Sequence, residues 1–476
     1  MVYSMVENKK TQQLKKKKKP RKVTIILILE IIIVVLLFGG YRFYLYWQDK
    51  QQELADEDRE IIHKEDNEKL SSAELAAKEE QDRLQAEIKD RQNLIEKART
   101  LTIGYDYEGA IDLIKNYKGK EGGYEIYKIL VDEIENLEKE QDKLVLYGGV
   151  YHSVTEVSHL FFHTLIMDTS LAFDGDSDTR GYNMYMVTVQ EFQKMLQSLY
   201  DQNYVLVRMS DLVKKVTLSD GSVSYEENEI YLREGKKPIV LSEDDVAFYE
   251  YMLDDGFASK IVLDSEGKLT CERILKNGNT VTGAFDIIPI LNEFIEGHPD
   301  FSYKGAKGLL ALTGYEGILG YRTNDKTSPD YEKELKAAKE VVEALKENGW
   351  EFASHSWGHK DMQAASLSTL KSDTDRWLEE VGSIVGPTNM YVFPFGNDIE
   401  TTTGTYSSSK YQYLKEKGFD IFLAVYKEPW MHVKKNYVRM TRRPIDGQAL
   451  LEYPERLEDL FNVDEIIDIS RPIKNW

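Results

Sequence analysis

Hydrophobic and polar residues divide the chain into three textures. The first is a run from Val23 to Gly40 that is aliphatic almost throughout, interrupted only by Glu30, and followed by Tyr41, Phe43, Tyr44, Tyr46 and Trp47. A helix over Val23–Trp47, rising about 1.5 Å per residue, is long enough for the ~30 Å hydrocarbon core of a bilayer. The aromatic residues suit the headgroup level, and Arg42 can extend its charge toward water. Residues 1–22 form a basic tail, with nine Lys and Arg residues against Glu7. That asymmetry predicts a cytoplasmic N-terminus. No small-residue cleavage site follows the apolar run, so residues 23–47 read as an uncleaved, single-pass transmembrane anchor in the cell membrane, with residues 48–476 extracellular.

The second texture, residues 48–100, is rich in Glu, Lys, Gln, Asp, Ala and Arg, lacks Pro and Gly, and has sparse apolar positions such as Leu54, Ile61, Leu84 and Leu94. It predicts a solvated helix or coiled-coil stalk, a possible route to a dimer. The pattern at Tyr105–Leu137 predicts a helical hairpin, and 48–145 as a whole reads as a spacer.

After about residue 146, short apolar runs alternate with amphipathic stretches. Strands are expected at His159–Ile166, Tyr204–Val207, Pro238–Leu241, Gly308–Leu312, Glu351–Ser354, Met390–Phe393 and Ile421–Val425. Helices are expected at Thr188–Tyr200, Ile287–Glu296, Tyr331–Asn348, Ser366–Val385 and Tyr411–Lys417. Thr188 with Glu191 makes a capping box, and Gly349 and Gly418 stand where helices end. Strand–helix repetition of this kind means α/β architecture with a parallel sheet. Seven such units suggest a closed or nearly closed (β/α) barrel over residues 146–450, with 451–476 as a C-terminal tail.

Composition narrows the partners. The formal charge is −21 although the first 22 residues are basic, so the remainder is strongly acidic. Such a body argues against nucleic acid as a partner. Cys271 is the only cysteine, which excludes an intrachain disulfide and is neutral on compartment.

The chemistry-bearing residues fall at strand ends. His163 lies near the end of the first strand, Asp244 and Asp245 follow "PIVLS", His355 follows "WEFAS", and Pro394–Gly396 follow "MYVF". Barrels of this type build active sites at that edge. His355-Ser356-Trp357-Gly358-His359 puts two imidazoles four residues apart, able to share one ion if Gly358 allows a tight turn. Two histidines and a carboxylate with open positions is a catalytic metal pattern. His159 and His163 have the same spacing, but on an extended strand they are about 13 Å apart and cannot chelate. Asp244–Asp245 supplies carboxylates that can divide labour between base and ligand. Asp254–Asp255 is a rival pair that no apolar strand leads into.

Together these motifs resemble the polysaccharide deacetylase family, a carbohydrate esterase group with a NodB-homology domain. Its Thr-Phe-Asp-Asp-Gly motif appears as Ser242–Val246, its His-Ser/Thr-x-x-His motif as His355–His359, and its Arg-x-Pro-Tyr-Gly motif as Val392–Gly396. "SHLFFHTLIMD" and "MVTVQEFQKMLQSLYDQNYVLV" are similar to the poly-N-acetylglucosamine deacetylase branch. The resemblance covers about residues 158–445 and implies a distorted seven-stranded deacetylase barrel. It implies Asp244 as catalytic base, and Asp245, His355 and His359 as ligands of one divalent metal, zinc first, with cobalt, nickel or manganese as alternatives. The Phe395 backbone N–H would serve an oxyanion, and Pro394, Gly396 and Trp357 would contact substrate. The expected activity is hydrolysis of a linear amide, the N-acetyl group of amino sugars in a cell-wall or extracellular polysaccharide. Three departures stand out: Val392 replaces the arginine that orients the base, Glu243 replaces phenylalanine, and Val246 replaces glycine. Arg322, Arg439 or Arg442 could substitute for the arginine. With no C-terminal Leu-x-His, His163 is the candidate general acid, with His432 behind it. The alternative reading is a glycan-binding scaffold on a catalytically degenerate barrel.

Overall fold

The computed structural model describes Trp47, Gln48 and Lys50 and residues 72–148, 153–221, 223–401, 404–426 and 428–472. The basic tail and, apart from Trp47, the expected membrane span lie outside the described residues. Among the described residues no helix is long and apolar enough to cross a membrane. The chain divides into two compact units, residues 1–90 and 91–476.

A helix spans Ser72–Ile103. Within the first unit its described side chains are exposed or half-buried, as a sequence with almost no apolar stripe requires. Within the second unit, Leu94, Ile95 and Ala98 pack against the helices Tyr107–Lys115 and Lys128–Gln141, the expected hairpin. Arg233 then ties this end to the rest of the unit, donating to the Thr102 and Ile103 carbonyls.

Seven parallel strands form a closed barrel. In chain order they are β1 (His159–Phe162), β2 (Lys237–Asp245), β3 (Leu309–Leu312), β4 (Glu351–Ser354), β5 (Met390–Val392), β6 (Ile421–Val425) and β7 (Tyr437–Pro444). Each pairs with the next, and β7 pairs with β1 to close the ring. Period-two alternation sorts their side chains. Val240, Leu309, Ala311, Ala353, Val392, Leu423, Val438 and Met440 fill one layer, and Leu241, Leu310, Leu312, Phe352, Phe393 and Phe422 fill the other. Five principal helices follow: α1 (Val189–Asp201), α2 (Ile287–Gly297), α3 (Tyr331–Asn348), α4 (Leu367–Trp377) and α5 (Ser409–Glu416). Thr188 and Glu191 make both halves of the capping box on α1, and Gly349 ends α3 at φ +103°.

The expected barrel is present with one exchange of membership. Tyr204–Leu206 pairs with the first three residues of β2, apart from one bridge to Ser302, and lies off the ring. The seventh strand is β7, which the hydrophobic pattern hides because Arg439, Arg442 and Arg443 interrupt it. All three are buried and ion-paired, with Asp398, Asp244 and Asp459. Buried charge survives folding when it is paired, so polar letters in a strand are no bar to a barrel position. The antiparallel hairpin Val213–Thr217/Val223–Glu227 and the three-stranded sheet Lys260–Leu263, Leu269–Ile274 and Thr280–Gly283 are additions to the expected plan. Near the C-terminus, Arg471 is fully buried and ion-paired to Glu191 at 2.6 Å.

Candidate active site

Asp244, near the C-terminal end of β2, is 2% exposed. Arg442 reaches it from β7, with Nη1 at 2.6 Å from Oδ1 and Nη2 at 2.8 Å from Oδ2. The guanidinium also donates to Ser242 and lies over the Phe161 ring at 4.4 Å. Burial pushes the Asp244 carboxyl up, but Arg442, with help from His355, outweighs it and holds the group far below the usual carboxylate range. Of the three arginines that could replace the missing motif residue, Arg442 makes this contact. Arg439 pairs with Asp398, and Arg322 donates to the carbonyls of Ala247, Phe248 and Glu316.

Asp245 ends the same strand. Its Oδ1 is buried without a hydrogen-bond partner, 3.9 Å from His355 Nε2 and 3.8 Å from His359 Nε2. One ligand atom from each of the three residues lies within 4.8 Å of the others. His355 Nδ1 sits 3.1 Å from the Val392 carbonyl, which can only accept. The Nδ1 proton is thereby fixed and Nε2 is left as a lone-pair donor facing Asp245. Burial lowers the His355 pKa to about 4, favouring the neutral ring that metal binding needs. An orphaned carboxylate oxygen between two free imidazole nitrogens fits a divalent metal. The donor set of one oxygen and two nitrogens suits zinc and its neighbours.

The histidine turn is braced from α4. Asp373 accepts from Ser356 Oγ at 2.8 Å, Trp357 N at 2.7 Å and Gly358 N at 3.0 Å. The left-handed positions fall on Ser356 (φ +64°) and His359 (φ +47°), and Gly358 is not one of them. Asp245, Val246, Phe248 and Phe395 also have positive φ, so six of the ten such non-glycine residues among those described lie at this site. Strained backbone of this kind persists only where its surroundings over-determine it. Replacing Asp373 with alanine would leave buried donors unsatisfied. The expected result is a loss of about 2–4 kcal/mol in urea unfolding, with metal affinity down about 10–100-fold by titration.

The Pro394–Gly396 turn follows β5. Phe395 has φ +60°, its ring is 65% exposed and packs on His359 at 4.6 Å, and no described residue accepts its N–H. Gly396, at φ +69°, is required because a Cβ there would collide with Val425. Asn397 ties this turn to the histidine segment through Asp361 at 2.9 Å.

His163 follows β1. Its Nδ1 is 3.0 Å from the Tyr185 carbonyl, which leaves Nε2 free. It acts electrostatically on both Asp244 and Asp446. His159 is buried with neither nitrogen bonded, and neither it nor His163 belongs to a cluster of three metal-ligating side chains among the described residues. His432 stacks on Trp430 at 4.5 Å, and no described ion pair links it to the aspartates. Trp357 is not brought to the cluster as a free ring: Nε1 donates to Glu380, and Arg376 covers one face at 3.4 Å. Asp255 accepts from Tyr182 and sits with the exposed Asp176 and Asp178, apart from this site. Glu243, on the opposite face of β2 from Asp244, is fully buried beside Asp286, and burial raises both carboxyls, Asp286 to about 6.

Sequence reasoning missed Asp373, Asp446, Tyr185 and the Val392 carbonyl. Only Asp446 carried a signal, as the acid that follows "RRPI" at a strand end.

No curated protein matches the chain. Among solved structures, the Streptococcus pyogenes deacetylase PplD in complex with acetate is 14% identical over 62% of this chain and 96% of its own, with a TM-score of 0.33. A family 4 carbohydrate esterase from Bacillus anthracis is 19% identical over 32% of this chain and 61% of its own, with a TM-score of 0.18. A family 4 pseudoenzyme from Bacillus anthracis is 11% identical over 37% and 54%, with a TM-score of 0.20. Residues 323–421, which hold His355, His359 and Pro394–Gly396 but not the aspartates, match the family model for polysaccharide deacetylase.

Proposed function

We propose that the barrel is a metal-dependent N-deacetylase acting on N-acetylated amino sugars of a cell-wall or extracellular polysaccharide, with poly-N-acetylglucosamine as the first substrate to test. The observation that carries this reading is the orphaned Asp245 Oδ1 between two imidazole nitrogens, beside an Asp244 that Arg442 keeps ionised. Asp245, His355 and His359 would hold the ion. When bound, it would polarise the acetyl carbonyl and acidify the attacking water. Asp244 accepts the proton of that water. Because Arg442 makes it a weak base, it suits only a water already made more acidic. The Phe395 N–H donates to the oxyanion that develops on the acetyl carbonyl. His163, with Nδ1 fixed by Tyr185 and Asp446 nearby, delivers a proton from Nε2 to the leaving nitrogen. The C–N bond breaks to give acetate and a free amine. Pro394 and Gly396 shape the rim at which substrate enters.

Arg442 makes the aspartate contact that Val392 cannot, which favours the enzyme over the inactive scaffold. The test is acetate release from N-acetylglucosamine oligomers by metal-loaded protein, wild type against His355→Ala and His359→Ala. Stoichiometric metal without acetate release on any acetylated glycan would support the scaffold instead.

The same reading includes an N-terminal membrane anchor, a cytoplasmic basic tail, an extracellular barrel and a stalk able to pair with a second copy. Protease added to intact cells is expected to remove the chain beyond about residue 50. A protected barrel would overturn the topology.

A further inference from the structure

The end of the barrel opposite the metal cluster carries a polar cleft of about 500 Å³. Lys307, just before β3, lines it, between α2, the end of α3 and the hairpin Lys260–Leu263/Leu269–Ile274. Lys307 is only 7% exposed, and no described residue makes a hydrogen bond or ion pair with it. Glu293, Glu296 and Glu347 stand exposed on the same wall, where no described residue pairs with them, and Lys268, also exposed and 3.7 Å from Glu266, lies there too. Two further acceptors, Asn292 Oδ1 and Asn348 Oδ1, are buried and unbonded. By contrast Asp264, on the same wall, is satisfied by the backbone of its own turn.

Unsatisfied buried polar atoms require a partner. That holds for the two asparagine oxygens, which have the nearly buried Lys307 ammonium beside them and the exposed glutamates around them. Four wall carboxylates, Asp264 included, against the ammoniums of Lys268 and Lys307 repel phosphates and other anions and favour a ligand with positive charge. Two amide oxygens need donors, yet Lys307 needs an acceptor, which a polyamine cannot supply. A hydroxyl both donates and accepts. A sugar that carries a free amine answers every group: the amine faces the glutamates, one hydroxyl accepts from Lys307, and others donate to the asparagines. The cleft volume falls in the range of small-ligand sites.

We propose that this cleft is a second saccharide site, remote from the chemistry, that holds de-N-acetylated glucosamine units. The choice of sugar rests on the deacetylase reading, of which such a unit is the product. A glycan already deacetylated in part would then stay tethered while the catalytic face works on its remaining acetyl groups.

Burial lowers the Lys307 pKa to about 8, with Glu296 acting the other way and Arg208 adding to the lowering. More of its amine is therefore neutral near pH 7.5 than for a surface lysine, and an amine-reactive reagent can report on it. The experiment uses the detergent-solubilised full chain carrying Asp244→Asn. Peptide mass spectrometry follows labelling of Lys307 by an N-hydroxysuccinimide ester, with β-1,4-linked glucosamine trisaccharide, its N-acetylated counterpart or spermidine present. Labelling is scored as a ratio to the exposed lysines of the same chain, because ligand amines also consume the ester. The glucosamine trisaccharide is expected to protect Lys307 saturably, and the other two are not. Glu296→Gln, an exposed substitution that leaves the fold alone, should weaken that protection at least fivefold. Absent protection, equal protection by spermidine, or protection unchanged by Glu296→Gln would each overturn the proposal. Acetate release by the wild-type chain is scored separately. Protection without acetate release sinks the deacetylase reading and leaves the site standing, and the reverse sinks the site alone.

Discussion

Asp244→Asn is expected to lower acetate release about 10²–10⁴-fold, the usual worth of a positioned general base, while bound metal stays in place. Asparagine keeps the size and one acceptor oxygen but cannot take the proton of the attacking water. The orphaned oxygen between the imidazoles belongs to Asp245, not to Asp244, whose two oxygens are already occupied by Arg442. Asp245→Asn should therefore fail differently: activity falls because the ion is held by two imidazoles and a neutral amide, and excess metal restores part of it. Metal content by mass spectrometry and initial rates over a metal titration separate the two outcomes. Full activity in Asp244→Asn, or identical metal loss in both variants, would show that the roles have been assigned to the wrong residues. The same substitution at Asp255 should change neither quantity, since that carboxylate is engaged with Tyr182.

What could be read in the sequence is what is local. The capping box at Thr188 and Glu191, the helix Tyr331–Asn348 and the strand Glu351–Ser354 each declare themselves within a few residues, and the structure has them. The His355–His359 spacing is local too, and the two rings do meet, 5.0 Å apart. Long-range pairing is another matter. Arg442 lies 198 residues from Asp244, and nothing in its neighbourhood distinguishes it from Arg439 or Arg443. All three sit on a strand whose charges hide its hydrophobic rhythm. Asp373 is one of two acids on α4, and only the fold shows that it points at the histidine turn. Glu243 looked like a defect in the first motif. Because β2 alternates, its side chain leaves the barrel on the face opposite Asp244 and meets Asp286 instead. The departure therefore does not touch the cluster directly.

The second large effect concerns stability. Arg442→Met should cost about 3–5 kcal/mol, because it strands a buried carboxylate whose partner has gone. Methionine fills comparable volume and keeps an apolar contact with Phe161, so lost charge pairing dominates the change. The pH dependence distinguishes this cause from simple repacking. In the wild type, Arg442 holds Asp244 below its unfolded pKa. The native state then binds fewer protons than the unfolded one, and the contribution is complete above the ordinary aspartate range and lost as pH falls through the depressed value. Without Arg442, burial is the largest influence left on Asp244 and raises the native pKa above the unfolded one. The sign reverses: the variant's native state binds the extra proton, and its stability falls as pH rises from the unfolded pKa toward the raised one. The gap between metal-free wild type and variant should therefore widen steadily as pH rises from about 4 to about 7. Urea unfolding at several pH values measures this directly. A gap that stays constant across that range would mean that the arginine contributes packing rather than the charge that keeps Asp244 ionised.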